Sequence, residues 1–381
     1  MPDTIYLDYN ATTPVCKEAV DAAVTAMKEA WGNPSSGHRQ GRLARAFLEE
    51  ARSQVSKLIN AKPDEIVFTS GGTESNNLAI LGAAQAYGKK RSHAVTSAIE
   101  HPSVAKVFDA LEERGWRVTR IMPDRKGVIQ PEAFISALEP DTVLASIMLA
   151  NNETGVIQPI SDMAAEARSR GMVFHTDASQ AVGKIEVNAE GLGVDLLTIA
   201  GHKLYAPKGT GALFVRAGTR IAPIMYGAGQ EGGLRPGTEP VPQAAALGAA
   251  CRAAGCALSS GEPNRISALR DGLFSLLEQG CPEVIWHGRG TKLLPNTLYV
   301  SFPGLSAPEI LERAPEVLAS TGAACHDRGS SISSVLAAMG VSRQEAMGTI
   351  RFSLGRPTTE EEIERAAALL LDAARALGAG A

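Results

Sequence analysis

Apolar positions along the chain repeat with two different periods. Leu43, Phe47, Ala51, Val55 and Leu58 recur at helical spacing, and Glu65 to Thr69 then reads as a strand. Val104, Val107, Phe108 and Leu111 mark a further helix, followed by a strand from Trp116 to Met122. Thr142 to Leu149 is an almost continuous apolar run, the pattern of a strand covered on both faces. Ser161 is placed to cap a helix that ends before Gly171, and Met172 to Thr176 reads as the next strand. Val194 to Ile199 and Gly211 to Val215 continue the series. Helix and strand alternating over residues 17–255 predict an α/β fold with a mostly parallel sheet between helical layers.

The pattern changes after a helix of small residues, Ala244 to Leu258, and a polar break from Ser259 to Pro263. Beyond the break the elements read as a smaller α+β unit. They are a helix near 265–279, a strand from Leu298 to Phe302, a helix after Pro308 and strands flanking Cys325 and Arg351. A last helix is opened by the capping-box pair Thr359 and Glu362. The expected organisation is a large α/β domain over residues 15–257. Residues 1–14 and 258–381 would form the small domain that carries the Cys325 loop.

Composition then narrows the class of protein. Acidic residues number 41 against 37 Lys and Arg, a net charge of −4, so no electrostatic reason points to nucleic acid or an anionic membrane. No apolar run approaches the roughly 20 residues a bilayer helix needs. The N-terminal MPDTIYLDYN is acidic early and lacks the basic-then-apolar pattern of an export leader. The 5 cysteines include no CxxC pair, which argues against a disulfide framework or a metal site and for a reducing, cytoplasmic setting. Cys251, Cys256 and Cys281 read as inert core residues.

Polar clusters fall where strands end, the place where open α/β sheets hold ligands. Thr69 to Asn77 (TSGGTESNN) leads into an apolar helix, and its glycines, Thr73 and free N–H groups suit a phosphate, although the motif taken alone favours a tight turn with a helix cap. It has no P-loop lysine. Gly227 to Gly232 matches GxGxxG by letter, but Leu-Arg-Pro-Gly follows, which breaks a helix, so a dinucleotide site is rejected. His101 follows one strand and would stack on a ligand ring or carry protons, though such a residue is more often an ordinary turn histidine. Asp177 ends a buried strand, where it needs either a structural ion pair or a functional partner. Lys203 follows another; a lysine there is usually solvated, but desolvation would make it a nucleophilic amine. The combination is what points to pyridoxal 5′-phosphate: a lysine for the imine, an acid for the ring nitrogen and N–H groups for the phosphate.

The motifs YLDYNATTP (6–14), WGNPSSGH (31–38), FTSGGTESNN (68–77), EHPSV (100–104) and LANNETG (149–155) resemble the cysteine desulfurase family. So do HTDASQAVGK (175–184), GHKLYAPKG (201–209), RPGTEP (235–240), TGAACH (321–326) and IRFSLGR (350–356). That family belongs to the class V aminotransferase group of pyridoxal phosphate enzymes, of type I fold, and includes selenocysteine lyases. The resemblance implies that Lys203 carries the cofactor, Asp177 meets its ring nitrogen, His101 stacks on the ring and Gln180 reaches the ring hydroxyl. Gly72, Thr73 and His202 would bind phosphate, Asn152 would face the cofactor, and Thr238 would come from the other subunit of a homodimer. Ala200 stands where the family often has serine, which removes one phosphate contact.

Two sites remain for substrate. Cys325 lies among His326 and Arg328, which favour the thiolate, in a small-residue stretch. Arg351 offers a planar fork to an amino-acid carboxylate, and Asn33 would assist it on family grounds. The expected activity is conversion of L-cysteine to L-alanine with a persulfide on Cys325, passed to a protein acceptor such as an iron–sulfur scaffold. L-selenocysteine as substrate is the alternative, since WGNPSS, LANNETG and GAACH lean toward lyase wording. A class V aminotransferase or a non-enzymatic sulfur relay is further off, the latter because Lys203 and Asp177 are both intact.

Overall fold

In a strand, successive side chains point to opposite faces, so a strand apolar at every position must be covered on both sides. The computed structural model, which describes residues 4–88, 92–324 and 331–378, satisfies that requirement. A seven-stranded sheet runs in the order Ile66–Thr69, Gly211–Val215, Leu196–Ala200, Val173–Asp177, Thr142–Ser146, His93–Ser97, Arg117–Ile121. Neighbours from Leu196–Ala200 to Arg117–Ile121 pair in parallel. Gly211–Val215 is antiparallel to both its neighbours, so the carboxyl ends of all the other strands share one end of the sheet.

Adjacent residues divide between two cores. Phe68, Phe174 and Leu197 join the core beneath the helices Arg39–Leu58 and Val241–Ser259. Val67, Val173 and Leu196 join the opposite core, built with Leu78, Ile80, Phe108 and Leu111 from the helices Gly72–Tyr87 and Pro102–Glu113. The Arg39–Leu58 and Val241–Ser259 helices meet at Gly248, where an added Cβ would sit 2.7 Å from Ala51 Cα; glycine permits the approach.

A four-stranded antiparallel sheet forms the smaller domain, in the order Ser320–Thr321, Thr349–Ser353, Thr297–Ser301, Ile285–Trp286. Helices Glu262–Gly280, Ala307–Arg313 and Glu360–Gly378 pack on it around Leu273, Leu298, Phe352 and Leu370. Ile5 and Leu7 are buried in this same core, and the Ile5–Tyr6 strand pairs in parallel with Val317–Leu318. The N-terminal segment therefore passes from the small domain's core directly to the carboxyl end of the large sheet.

Four local expectations need correction. Ser161 does not cap its helix: the N-cap of Ile160–Ser169 is Pro159, two residues earlier, and Ile160 is buried in the core. The polar break shrinks to Ser260 and Gly261, with Pro263 taken into the first turn of Glu262–Gly280, where a missing N–H costs nothing. The Thr142–Leu149 run is strand only to Ser146; Ile147 to Leu149 stay buried, and the Ile147 and Leu149 N–H groups still donate to His175 O and Asp177 O of the neighbouring strand. Cys256 is exposed, since its helix outruns the core beyond Ala254, whereas Cys251 is buried, its thiol pushed up to about 12 by desolvation. Among the described residues no helix is long and apolar enough to cross a membrane.

The rejected GxGxxG run does open no long helix. It forms the one-turn segment Gln230–Gly233, whose Glu231 accepts from Arg52 Nη2 at 2.7 Å and from the Phe68 N–H at 2.8 Å.

Candidate active site

At the carboxyl end of the large sheet lies a cavity of about 310 Å³, within the size range of small-ligand sites. Strand ends deliver its walls. Gly72 and Thr73 follow Ile66–Thr69, His101 follows His93–Ser97, Asn152 follows Thr142–Ser146, and Asp177 closes Val173–Asp177. His202 and Lys203 sit in the turn after Leu196–Ala200, and Arg351 reaches in from the small sheet.

Lys203 Nζ donates to the main-chain oxygens of Asn10 (2.7 Å) and Ala11 (2.8 Å). Among the described residues no carboxylate pairs with it. Burial, and next the Arg351 charge, lower its basicity to about 8. Two residues on, Tyr205 adopts φ 70°, a strained conformation for a non-glycine residue. Its hydroxyl accepts the Arg356 N–H at 2.8 Å, and the Arg356 guanidinium lies 4.3 Å from the ring centre, which fixes the turn behind Lys203.

Asp177 is 6% exposed and forms no ion pair among the described residues. Asn76 Nδ2 donates to its Oδ2 at 2.8 Å and the Ser179 N–H to its Oδ1 at 2.9 Å. These bonds stabilise the carboxylate yet leave its charge uncompensated, so the structural ion pair considered for it is absent.

His101 caps the Pro102–Glu113 helix: its Nδ1 accepts from the Ser103 N–H at 3.1 Å. His101 is exposed to the open cavity, and the partial desolvation of its ring there is the main cause holding its pKa below the usual histidine value. His202, with Nδ1 3.2 Å from Thr12 Oγ1, is pushed down to about 4 by burial and then by Lys203. The Gly72–Tyr87 helix starts at Gly71, whose φ of 146° only glycine adopts readily, and its first-turn N–H groups have no intrahelical acceptor. Gln180 donates from Nε2 to Asn10 O (3.0 Å) and accepts Lys184 Nζ at its Oε1 (2.7 Å).

The cavity thus gathers the expected Gly72, Thr73, His101, Asn152, Asp177, Gln180, His202, Lys203 and Arg351. Asn33 and Thr238 are not on its walls. Asn33 is exposed and accepts the Ser35 N–H, and Thr238 is exposed in the loop before Val241–Ser259. Cys325 lies outside the described residues. The backbones of Ala323–Ala324 and Ser331–Ile332 pair antiparallel on either side of it.

Four polar residues around the cavity were not singled out by sequence. Asn10 bonds Lys203, Lys184, Gln180, Thr297 and Ser353, joining both domains to the cavity floor. Lys184 is half-buried without a carboxylate partner among the described residues, its pKa driven well below the usual value by desolvation. Asn76 and Ser103 stand behind Asp177 and His101. Each lies inside a motif quoted above, and Asn76, Asn10 and Ser103 carried no local signal because each stands among other polar residues.

The sequence profile of the aminotransferase class-V family matches residues 5–366. The chain belongs to that family. Its members are pyridoxal phosphate enzymes, and curated relatives place this class-V chain among the cysteine desulfurases. It is 44% identical to "Cysteine desulfurase IscS" of Dictyoglomus turgidum over 365 residues, covering 95% of this chain and 92% of the relative. It is 40% identical to "Cysteine desulfurase" of Rattus norvegicus, covering 94% and 80%. Among solved structures a "NIFS-LIKE PROTEIN" superposes with TM-score 0.90 at 34% identity over 97% of this chain and 98% of that one. A structure titled "SspA in complex with cysteine" superposes with TM-score 0.81 at 34% identity, covering 93% and 100%. The family resemblance and the two-part α/β fold expected from sequence both hold.

Proposed function

We propose that this chain is a pyridoxal 5′-phosphate-dependent enzyme that takes sulfur from L-cysteine onto Cys325 and releases L-alanine. The observation that carries the proposal is the pairing, across one cavity, of an amine whose pKa is lowered to about 8 and a buried carboxylate, neither of which has an ion-pair partner among the described residues. That donor set fits the cofactor. Lys203 would hold its carbonyl carbon, Asp177 its ring nitrogen, His101 its ring face and Gln180 its ring hydroxyl. Gly72, Thr73 and His202 would hold its phosphate, with Thr238 supplied by a second copy of the chain. When bound, pyridoxal phosphate supplies an electron-withdrawing ring that stabilises negative charge at the substrate's α-carbon.

The chain's own residues do the remaining work. Arg351, on the cavity wall, binds the substrate carboxylate and so fixes which bond at the α-carbon faces Lys203. Lys203, of depressed basicity, accepts the α-proton and later returns a proton to carbon. The Cys325 thiolate attacks the substrate sulfur. As the new S–S bond forms, the Cβ–S bond breaks with its electron pair going to carbon, and protonation there completes alanine. The persulfide stays on Cys325 for a protein acceptor.

The test is a visible spectrum of the purified protein followed by an alanine assay. The wild type should be yellow and form alanine from L-cysteine. Lys203→Ala should lose both properties, and Cys325→Ser should stay yellow yet release no sulfur. Full sulfur release by Cys325→Ser would overturn the nucleophile assignment. A colourless wild type that does not take up added pyridoxal phosphate would overturn the whole reading.

A further inference from the structure

Behind the two ring-facing groups runs a chain of hydrogen bonds that the reaction itself does not use. Asn76 Nδ2 donates both to Asp177 Oδ2 and to Ser103 Oγ, each at 2.8 Å, and Ser103 Oγ lies 2.8 Å from His101 Nδ1. We propose that Ser103 and Asn76 are positioning residues that hold His101 as the tautomer protonated on Nε2, with that N–H presented to the cavity and its other edge tied to Asp177.

The direction of every bond follows from chemistry. A backbone N–H can only donate, and that of Ser103 points at His101 Nδ1, so Nδ1 carries its lone pair. Ser103 Oγ accepts from Asn76, which turns its single proton toward the same Nδ1. Asn76 cannot be reversed without setting its carbonyl oxygen against the Asp177 carboxylate. As oriented, its Oδ1 is buried with no partner among the described residues, a cost accepted for the two Nδ2 bonds. His101 Nε2 has no partner among the described residues, and the ring forms part of the cavity wall.

Resting on the function proposed above, this tautomer divides the labour between two groups. Neutral His101 offers a proton at Nε2 and has no lone pair there, so acceptance of the α-proton falls to Lys203 and His101 acts as a donor. Four charged or titratable groups face His101 from the neighbouring elements. Asp177 and Glu153 favour its protonation, Lys203 opposes it, and His202 stands beside Lys203. Donation from Ser103 into Nδ1 adds to the opposition, because an imidazolium would need a proton at that position.

Nitrogen-15 histidine spectra of the holoenzyme read the tautomer directly, with His101 assigned by its loss in His101→Asn. The wild type should show a protonated Nε2 and a bare Nδ1. Ser103→Ala should raise the His101 titration midpoint by about half to one pH unit, and Ser103→Thr, which keeps the hydroxyl, should restore it. The acidic limb of the kcat profile for alanine formation should move by the same amount. A wild-type proton on Nδ1, or a midpoint unmoved by Ser103→Ala, would overturn the inference. Because the spectra require no turnover, failure of the desulfurase reading would show separately, as absence of alanine.

Discussion

Arg351 Nη2 donates to Asp8 Oδ1 at 2.8 Å, so the fork proposed to take a substrate carboxylate already holds one of the chain's own. Nη1 is bonded to Asn152 O at 3.0 Å, and Nε is buried without a partner among the described residues. A substrate must therefore share the guanidinium with Asp8. Arg351→Lys keeps the charge and loses the fork, and the KM for L-cysteine should rise about tenfold, the lower end of a charge-assisted bond. Asp8→Asn removes the competing charge and should lower KM. Steady-state alanine formation measures both, and a KM unmoved in either variant would take Arg351 out of substrate recognition.

Lys203 gives a prediction in pH. Its pKa is lowered to about 8, so the amine is charged below that value and neutral above it. Only the neutral amine attacks a carbonyl. The rate at which cofactor-free protein takes up pyridoxal phosphate, followed by absorbance, should rise through pH 7 to 9 and then level. A rate still climbing toward pH 10 would mean an unperturbed lysine.

How far the sequence reaches is visible in these same residues. The alternation Val67/Phe68, Val173/Phe174 and Leu196/Leu197 sorts side chains to the two faces of the sheet, so period and apolarity alone were enough to place the strands. Lys203, Asp177 and His101 were legible because each directly follows or ends such a strand. Asn76, Asn10 and Lys184 were not, because their meaning lies in partners far along the chain. Asn76 meets Asp177 across 101 positions, and Asn10 meets Lys203 across 193. Helix starts failed for a different reason: the burial of Ile160 outweighed the capping preference of Ser161.

Glu100 links stability to pH. It is buried beside His101, accepts Ser97 Oγ and the Met148 N–H at one oxygen, and desolvation raises its pKa to about 8. The folded state thus keeps a proton that the unfolded chain releases from pH 4.5 upward. The associated stability is full below that pH and is lost as pH rises toward 8. Glu100→Gln cannot ionise, so urea unfolding at pH 5 to 8 should show a flatter decline in the variant. Parallel declines in the two proteins would mean that Glu100 is ionised in the folded state throughout.

Glu153 follows Asn152 on the cavity wall and collects two hydroxyls from the small domain, Tyr299 (2.8 Å) and Ser333. Ser333 also caps the Ser334–Ala338 helix, and its N–H donates to Gly322 O at 2.9 Å. Through Ser333 and its bond to Gly322, Glu153 clamps the base of the strand pair Ala323–Ala324 and Ser331–Ile332 to the large domain, while Tyr299 holds the same carboxylate from the small sheet. Tyr299→Phe leaves Ser333 on the carboxylate and should cost about 1–2 kcal/mol in urea unfolding. Ser333→Ala loses a helix cap as well and should cost more. Since both hydroxyls end on one oxygen of Glu153, the double variant should differ from the sum of the single ones by more than about 0.5 kcal/mol. Strict additivity would mean that the hydroxyls act independently and that no clamp exists.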